Sequence, residues 1–598
     1  MPRLPTAQEL VHWMEVGRGA RWIRRAAVGL GVVGFSLVIA WKQFHGPLSE
    51  ATLADADVGR QLARGQGVST LVNYPQVDAF LESRGIAFDA DRPYPELYRA
   101  PLYSAAIAGA LRVLPAAKRE ALFAAVPVPP DGFAADYLLL AVNLIFLWVA
   151  AWLTYDLGRR LFEPRVGWLA ALALLLSVAI WQQAVAVNGS TLLMSVALGI
   201  FWMWRAIDET ADDTTNPARS GGRLIALGAG CGLLFLGEYA AGALLAVALA
   251  YAVVRFSGAR RWISLGMVAL GFAIVAGPWL ARNLSLTGNP VGLAVQNVAL
   301  KFGDPTAEPA TIRATLSADL PAIDLRKLGN KTLTSLQENL KSRIWSGGAM
   351  WLTAFFVASW LYAFRSAVVN RLRWVFTAGL VVLLLAHAAL GSGESERLPA
   401  VWLAPLIMVF GAGFFFVLLG SNPVLSSWPR LAATALLVAQ ALPLAHDALE
   451  PRRMHFQYPP YFPALFQGLC GELASREALG KYGAMSDVPA GFAWYGQTRA
   501  WAQPARLRDF YAISLQQPVG LLLLTPRTLD RPFFSELNAR PLLPGSLSNV
   551  PNRFGEWGEI YAGLLTGTMP REFPLKVSHK VAENLHVLLN PALPAPGK

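Results

Sequence analysis

Charge and cysteine are what this sequence has least of. Only 15% of its 598 residues are Asp, Glu, Lys or Arg, 54% are hydrophobic, and the mean hydropathy is +0.40. A water-soluble globule carries about a quarter charged residues, so that class is excluded. The two cysteines, Cys231 in an apolar run and Cys470 in the polar tail, stand in different surroundings and imply no disulfide framework. The seven histidines are scattered. No HExxH, CxxC, Walker lysine motif, GxSxG elbow or dinucleotide fingerprint is found, which argues against zinc hydrolysis and soluble nucleotide chemistry.

Long hydrophobic runs are what is there instead. A helix that crosses a hydrocarbon core of about 30 Å needs roughly 20 mostly apolar residues, because its backbone amides must be satisfied within the segment. Runs of this kind lie at 25–41, 137–157, 166–187, 190–206, 224–236, 239–254, 262–280, 347–364, 374–390, 399–419 and 431–446. They predict a polytopic α-helical membrane protein of about eleven transmembrane helices, with 224–254 also readable as one long tilted helix. Arginines punctuate every other loop: Arg21, Arg24 and Arg25; Arg159, Arg160 and Arg165; Arg205, Arg219 and Arg223; Arg255, Arg260 and Arg261; Arg365, Arg371 and Arg373. The positive-inside rule then places the N-terminus in the cytoplasm, and residues 49–114, 285–345 and the tail outside. The same loops account for the net charge of +12 without nucleic acid as a partner.

The first run has no small-residue cleavage pattern after Trp41 and reads as an uncleaved anchor. Gly228 to Gly232 and His387 sit in apolar runs and read as packing residues. After Pro451 prolines, aromatics and charges return. Strand-like stretches at 519–525 and 587–589, helix-like ones at 465–479 and 533–538, and a strand, turn and helix across 485–495 predict a C-terminal α/β soluble domain. The expected division is 1–447, including outer loops 44–136 and 283–345, and 448–598.

The outer segment 49–114 draws attention because its charges lie between hydrophobic spans. If Leu53 to Arg64 is an interfacial helix with Ala54, Val58 and Leu62 against lipid or protein, Asp55 and Asp57 project about 160° apart, so only one can face a given cleft. Either carboxylate can also simply cap a helix.

Five motifs carry a resemblance. They are Ala56-Asp57-Val58 through Gly65-Gln66-Gly67, Arg99-Ala100-Pro101-Leu102-Tyr103, Tyr155-Asp156-Leu157-Gly158-Arg159-Arg160, Pro278-Trp279-Leu280-Ala281-Arg282-Asn283 with Gly288-Asn289-Pro290, and Arg397-Leu398-Pro399. In that order they resemble the GT-C membrane glycosyltransferases, and are similar to glycosyltransferase family 39, the protein O-mannosyltransferases and lipid A aminoarabinose transferases. The resemblance implies a polyprenyl-phosphate sugar donor and a hydroxyl acceptor on lipid, glycan or protein, outside the bacterial cytoplasmic membrane. No organic cofactor is implied, and a divalent cation is left open.

It further implies a catalytic acid at the start of the outer helix, Asp55 first, then Asp57, then Glu50. Arg99, Arg282 and Arg397 are the implied donor-phosphate ligands, and Tyr98, Tyr103 and Glu238 belong to the expected substrate pocket. Two departures stand out: Glu238 lies where relatives often carry Lys or Arg, and Asn188 where they often carry an acid. Arg397 has Glu394 and Glu396 as alternative local partners. A transporter or flippase of lipid-linked glycan, or a non-catalytic glycolipid-binding assembly factor, is the competing class.

Overall fold

The computed structural model describes residues 18–47, 49–87, 89, 92–124, 132–210, 217–300, 309–391, 397–421, 423, 427–450, 463–529, 555–582 and 584–595. The helices used below are, in chain order, α1 (Arg18–Gln43), α2 (Glu50–Ala63), α3 (Leu102–Val113), α4 (Ala134–Leu161), α5 (Pro164–Leu175), α6 (Val178–Val185), α7 (Ser190–Thr210), α8 (Pro217–Gly237), α9 (Leu244–Arg255), α10 (Gly258–Thr287), α11 (Leu325–Glu338), α12 (Trp351–Ala358), α13 (Ala367–Leu390), α14 (Ala404–Ser421), α15 (Pro429–Leu449), α16 (Pro463–Ser475), α17 (Pro489–Trp494) and α18 (Leu507–Gln516).

Among the described residues seven helices are long and apolar enough to cross a membrane: α1, α4, α7, α10, α13, α14 and α15. Two bent pairs raise the number to nine. One is α5 with α6, bent by 55°, and the other joins Leu325–Ser346 to Trp351–Leu361 at 115°. All eleven hydrophobic runs fall on helices, the remaining two on the shorter α8 and α9. The stretch 224–254 is not one tilted helix. It breaks after Gly237, and a 3-10 turn at Tyr239–Ala243 precedes α9.

The glycines of α8 work as the sequence suggests. A Cβ on Gly228 would lie 1.9 Å from Val268 O, and one on Gly271 of α10 would lie 2.0 Å from Ile225 O. Backbones that approach so closely admit no side chain, and the contact is carried by van der Waals packing. At the far end of the bundle from α2, buried Asp208 accepts from Arg371 at 2.7 Å, Arg255 at 3.3 Å and Tyr251 Oη at 3.0 Å, which ties α7, α9 and α13 together. Leu30, Trp152, Ile274 and Leu361 point outward, as a lipid-facing surface requires.

Among the described residues, eight short strands form two sheets. Strands β1 (Ser69–Thr70) and β3 (Tyr94–Pro95) pair antiparallel within segment 49–114. The larger sheet has the order β2-β5-β4-β6-β8-β7, from β2 (Val72–Asn73), β4 (Gly483–Ser486), β5 (Ala500–Ala502), β6 (Val519–Leu524), β7 (Lys576–Ala582) and β8 (Leu585–Leu589). β2, β5, β4 and β6 run parallel, and β8 and β7 are antiparallel additions. The expected strands at 519–525 and 587–589, the helix at 465–479 and the strand-turn-helix at 485–495 are β6, β8, α16 and β4 with α17. The helix expected at 533–538 lies outside the described residues.

The tail's sheet therefore takes its edge strand from segment 49–114, with Val72 opposite Ala500 and Asn73 opposite Trp501. Helix α17 deepens this junction. All six of its residues are buried and it packs on α2. Trp494 Nε1 donates to Asp136 Oδ1 at 2.9 Å, and the neighbouring Tyr495 Oη donates to Oδ2 at 3.0 Å, so the top of α4 is pinned to the tail.

Candidate functional site

Helix α2 begins where Ser49 Oγ accepts from Thr52 N at 3.2 Å, an N-cap that fixes the phase of every later side chain. It is no surface helix. Eleven of its 14 residues are buried, because it is wedged between α3 and α17. The expectation of an interfacial helix is corrected to a fully enclosed one. Closeness to α3 comes from Gly59, where a Cβ would lie 2.9 Å from Ile107 and from Ser104 O. Ser104 Oγ then donates to Asp55 O at 2.8 Å.

The two aspartates do diverge. Asp57 turns away from the bundle and accepts from Arg60 Nη2 at 2.9 Å, Gln61 Nε2 at 3.1 Å, Thr70 Oγ1 at 2.9 Å and Leu71 N at 2.7 Å. Its Oδ1 is taken by two donors from α2 itself, and its Oδ2 holds β1 and the chain before β2 on α2. Asp55 turns to the other side. Its Oδ2 receives Arg397 Nη2 at 2.5 Å, and its Oδ1 accepts no hydrogen bond, with Arg99 Nε 3.8 Å away. Burial raises Asp55 above the ordinary carboxylate range, although Arg397 and Arg99 pull it down.

Arg397 is aimed by backbone carbonyls and Arg99 by a neighbouring carboxylate. Arg397 donates from Nε to Asn188 O at 2.6 Å and from Nη1 to Gly237 O at 3.0 Å, so all three of its nitrogens are engaged. The first carbonyl is presented by a strained turn in which Val187 has φ of 47° and Gly189 φ of 80°. A Cβ at Gly189 would strike the Tyr103 ring at 2.7 Å. Asn188 thus meets Arg397 through its main chain, and its Oδ1 caps α7 by accepting from Ser190 N at 3.0 Å. Glu394 and Glu396 lie outside the described residues. Arg99 is braced by Glu96, whose Oε2 receives Nη1 at 3.3 Å and whose Oε1 receives the amides of Tyr98 at 2.7 Å and Arg99 at 3.0 Å. Sequence reasoning missed Glu96, although its place three residues before Arg99 was the signal.

These groups border one small cavity of about 50 Å³, lined among others by Asp55, Tyr98, Arg99, Glu238, Arg313 and Arg397. Five expected residues meet there, and Arg313 was not foreseen. Four others are placed differently. Arg282 donates to Glu96 O at 2.8 Å and Val68 O at 3.0 Å, and lies over the Trp279 ring. Tyr103 is buried beneath Arg397, 5.5 Å from its guanidinium, with its hydroxyl given to Val187 O at 2.5 Å. Asp57 is held as above.

Glu50 meets the tail, accepting from Ala490 N at 2.6 Å through Oε1, while Oε2 is buried without a hydrogen bond. Burial pushes Glu50 up to about 7. Among the described residues no three His, Cys, Asp or Glu side chains form a metal-holding group, and Asp55 with Glu238 makes only two.

No family model and no curated protein matches the chain. Solved structures do match. ArnT from Cupriavidus metallidurans bound to undecaprenyl phosphate superposes with a TM-score of 0.50 at 13% identity, over 97% of this chain and 100% of that one. The apo form of the same protein gives 0.42 at 14% identity, over 96% and 98%. The Archaeoglobus fulgidus oligosaccharyltransferase AglB, in complex with an inhibitory peptide and a dolichol-phosphate, gives 0.47 at 11% identity, over 84% and 70%. The likeness to bound ArnT spans nearly the whole of both chains and is one of fold: the chain shares that fold, a polytopic helical membrane domain with a strand-containing C-terminal region.

Proposed function

We propose that the protein is an integral membrane glycosyltransferase. It moves a sugar from a polyprenyl-phosphate donor to a hydroxyl acceptor on the outer side of the cytoplasmic membrane. The observation that carries this reading is the meeting of Asp55 with Arg99 and Arg397 at one buried cavity, with Asp55 Oδ1 left without a hydrogen-bond donor. The undecaprenyl phosphate bound by the ArnT that shares this fold supports the same donor class.

The chemistry follows from those groups. Asp55 Oδ1 takes the proton of the acceptor hydroxyl, and a raised carboxylate is a better base than an ordinary one. The acceptor oxygen attacks the anomeric carbon as the bond from that carbon to the phosphate oxygen breaks, in a single inverting displacement. The bonding pair leaves on the carrier phosphate, whose second negative charge is met by Arg99 and Arg397, forks suited to phosphate geometry. Arg397 also holds Asp55 Oδ2, which fixes the direction in which Oδ1 looks. Glu238, which also lines the cavity, is assigned to accept a hydrogen bond from a sugar hydroxyl. A cavity of about 50 Å³ is well below the ~300 Å³ at which ligand pockets begin, so the wall yields when the donor arrives.

Mass spectrometry of copurified lipid tests the binding half. Wild type is expected to carry a polyprenyl-phosphate sugar that Arg99→Ala and Arg397→Gln lose. In membranes supplying acceptor, Asp55→Asn is expected to keep the lipid and lower conversion to free polyprenyl phosphate by about 10²–10⁴-fold. Undiminished conversion in Asp55→Asn would remove the base from the scheme, and a wild type that holds the lipid without converting it would mark a binder.

A further inference from the structure

Three arginines border the cavity, and one of them lies outside the set the motifs imply. Arg313 ends the short helix Pro309–Arg313, in the outer segment between α10 and α11. Its guanidinium lies 4.2 Å from the centre of the Tyr98 ring and 5.8 Å from that of Tyr74. Stacking on aromatic faces fixes where a guanidinium sits, and Tyr98 itself lines the cavity. The backbone that delivers Arg313 is held by the tail. Ala505 N donates to Ala314 O at 2.8 Å, and Leu316 N donates to Asp509 Oδ2 at 3.2 Å. Arg282, the expected third cation, is meanwhile committed to two main-chain carbonyls.

On the reading of this cavity as a donor site, we propose that Arg313 is its third phosphate-binding residue and that Asp509 of the tail positions it. The need is electrostatic. A phosphodiester carries one negative charge, and the phosphate that leaves carries a second. Arg397 is paired with Asp55 and Arg99 with Glu96, so each already answers a carboxylate. A cation added from a different segment supplies further donors where the charge grows. The tail then completes the site, although no tail residue has to touch the donor.

The test is the affinity of the purified full-length protein for undecaprenyl phosphate, measured alongside its thermal midpoint. Arg313→Gln is expected to weaken binding about 10–100-fold, the usual cost of a lost charge-assisted contact. Arg313→Lys, which keeps the charge and loses the fork, is expected to lose less than tenfold. Asp509→Asn is expected to weaken binding severalfold, and the double variant Arg313→Gln with Asp509→Asn to be no worse than Arg313→Gln alone. Wild-type affinity in both Arg313 variants overturns the proposal while leaving the donor site intact. Additive losses in the double variant overturn the positioning role of Asp509. A wild type with no affinity for undecaprenyl phosphate overturns the donor reading itself, and this proposal with it.

Discussion

Two aspartates two residues apart show how far the sequence reaches at the scale of single side chains. Helical geometry separates Asp55 from Asp57, and that much is readable from spacing alone. Which of them faces the cavity is decided by partners distant in sequence, Arg397 for one and the backbone of Leu71 for the other. Asp57→Ala strips an acceptor from four donors and leaves Arg60 buried without its carboxylate. It is expected to cost about 3–5 kcal/mol of stability, read as a lowered thermal midpoint with a proportionate loss of folded protein. If Asp57→Ala instead keeps its midpoint and loses turnover, Asp57 is the base. Arg282 was unreadable for a related reason: apart from the adjacent Asn283 Oδ1, its acceptors are main-chain carbonyls, which leave no mark in the sequence.

Glu50 gives the residue scale its pH dependence. Its carboxyl moves from the ordinary 4.5 to about 7 because burial penalises the charged form. The folded state therefore binds more protons than the unfolded chain between those values, and stability falls as pH rises through that window. Glu50→Gln removes this term. The variant is expected to show a flatter thermal midpoint from pH 4.5 to 7 and a higher midpoint than wild type at pH 8. An unchanged slope in Glu50→Gln would mean that this carboxyl does not titrate in that window.

At the scale of elements, long apolar runs were legible because each helix announces itself by length and composition. What was not legible is contact between elements. Strand β2 is two residues long and pairs in parallel with β5 far along the chain, so neither propensity nor alternation marks it. The burial of α2 on all sides follows from α17, a tail helix whose apolar face reads equally well as part of a soluble core. Gly59→Ala probes this packing directly. The added methyl meets Ile107 and Ser104 O at 2.9 Å, so α2 must move off α3. Overpacking of this kind costs about 1–3 kcal/mol, and the shift carries Asp55 away from Arg397. Turnover is expected to fall more than the stability loss explains, and Gly65→Ala, at the open turn after α2 and with nothing within 4 Å of its Cβ, serves as the stability-only comparison. Equal turnover losses in the two would place the catalytic geometry elsewhere.

At the scale of the molecule, the tail braces the segments that line the cavity without lining it, and the expected division at 447 and 448 is where that claim can be tested. Ending the chain at Glu450 removes α17, and with it the acceptors of Arg60 at Ala493 O and Trp494 O, the amide that Glu50 accepts and both donors to Asp136. It also leaves β2 without its neighbour and the Arg313 segment without Asp509. The membrane helices all precede the cut, so the truncated chain is expected to insert. Its segment 49–114 is expected to become protease-sensitive, and polyprenyl-phosphate lipid to be absent after purification. A truncated chain that resists protease and still carries the lipid would make the tail a separable appendage, and the cavity would then have to be held together by the membrane helices alone.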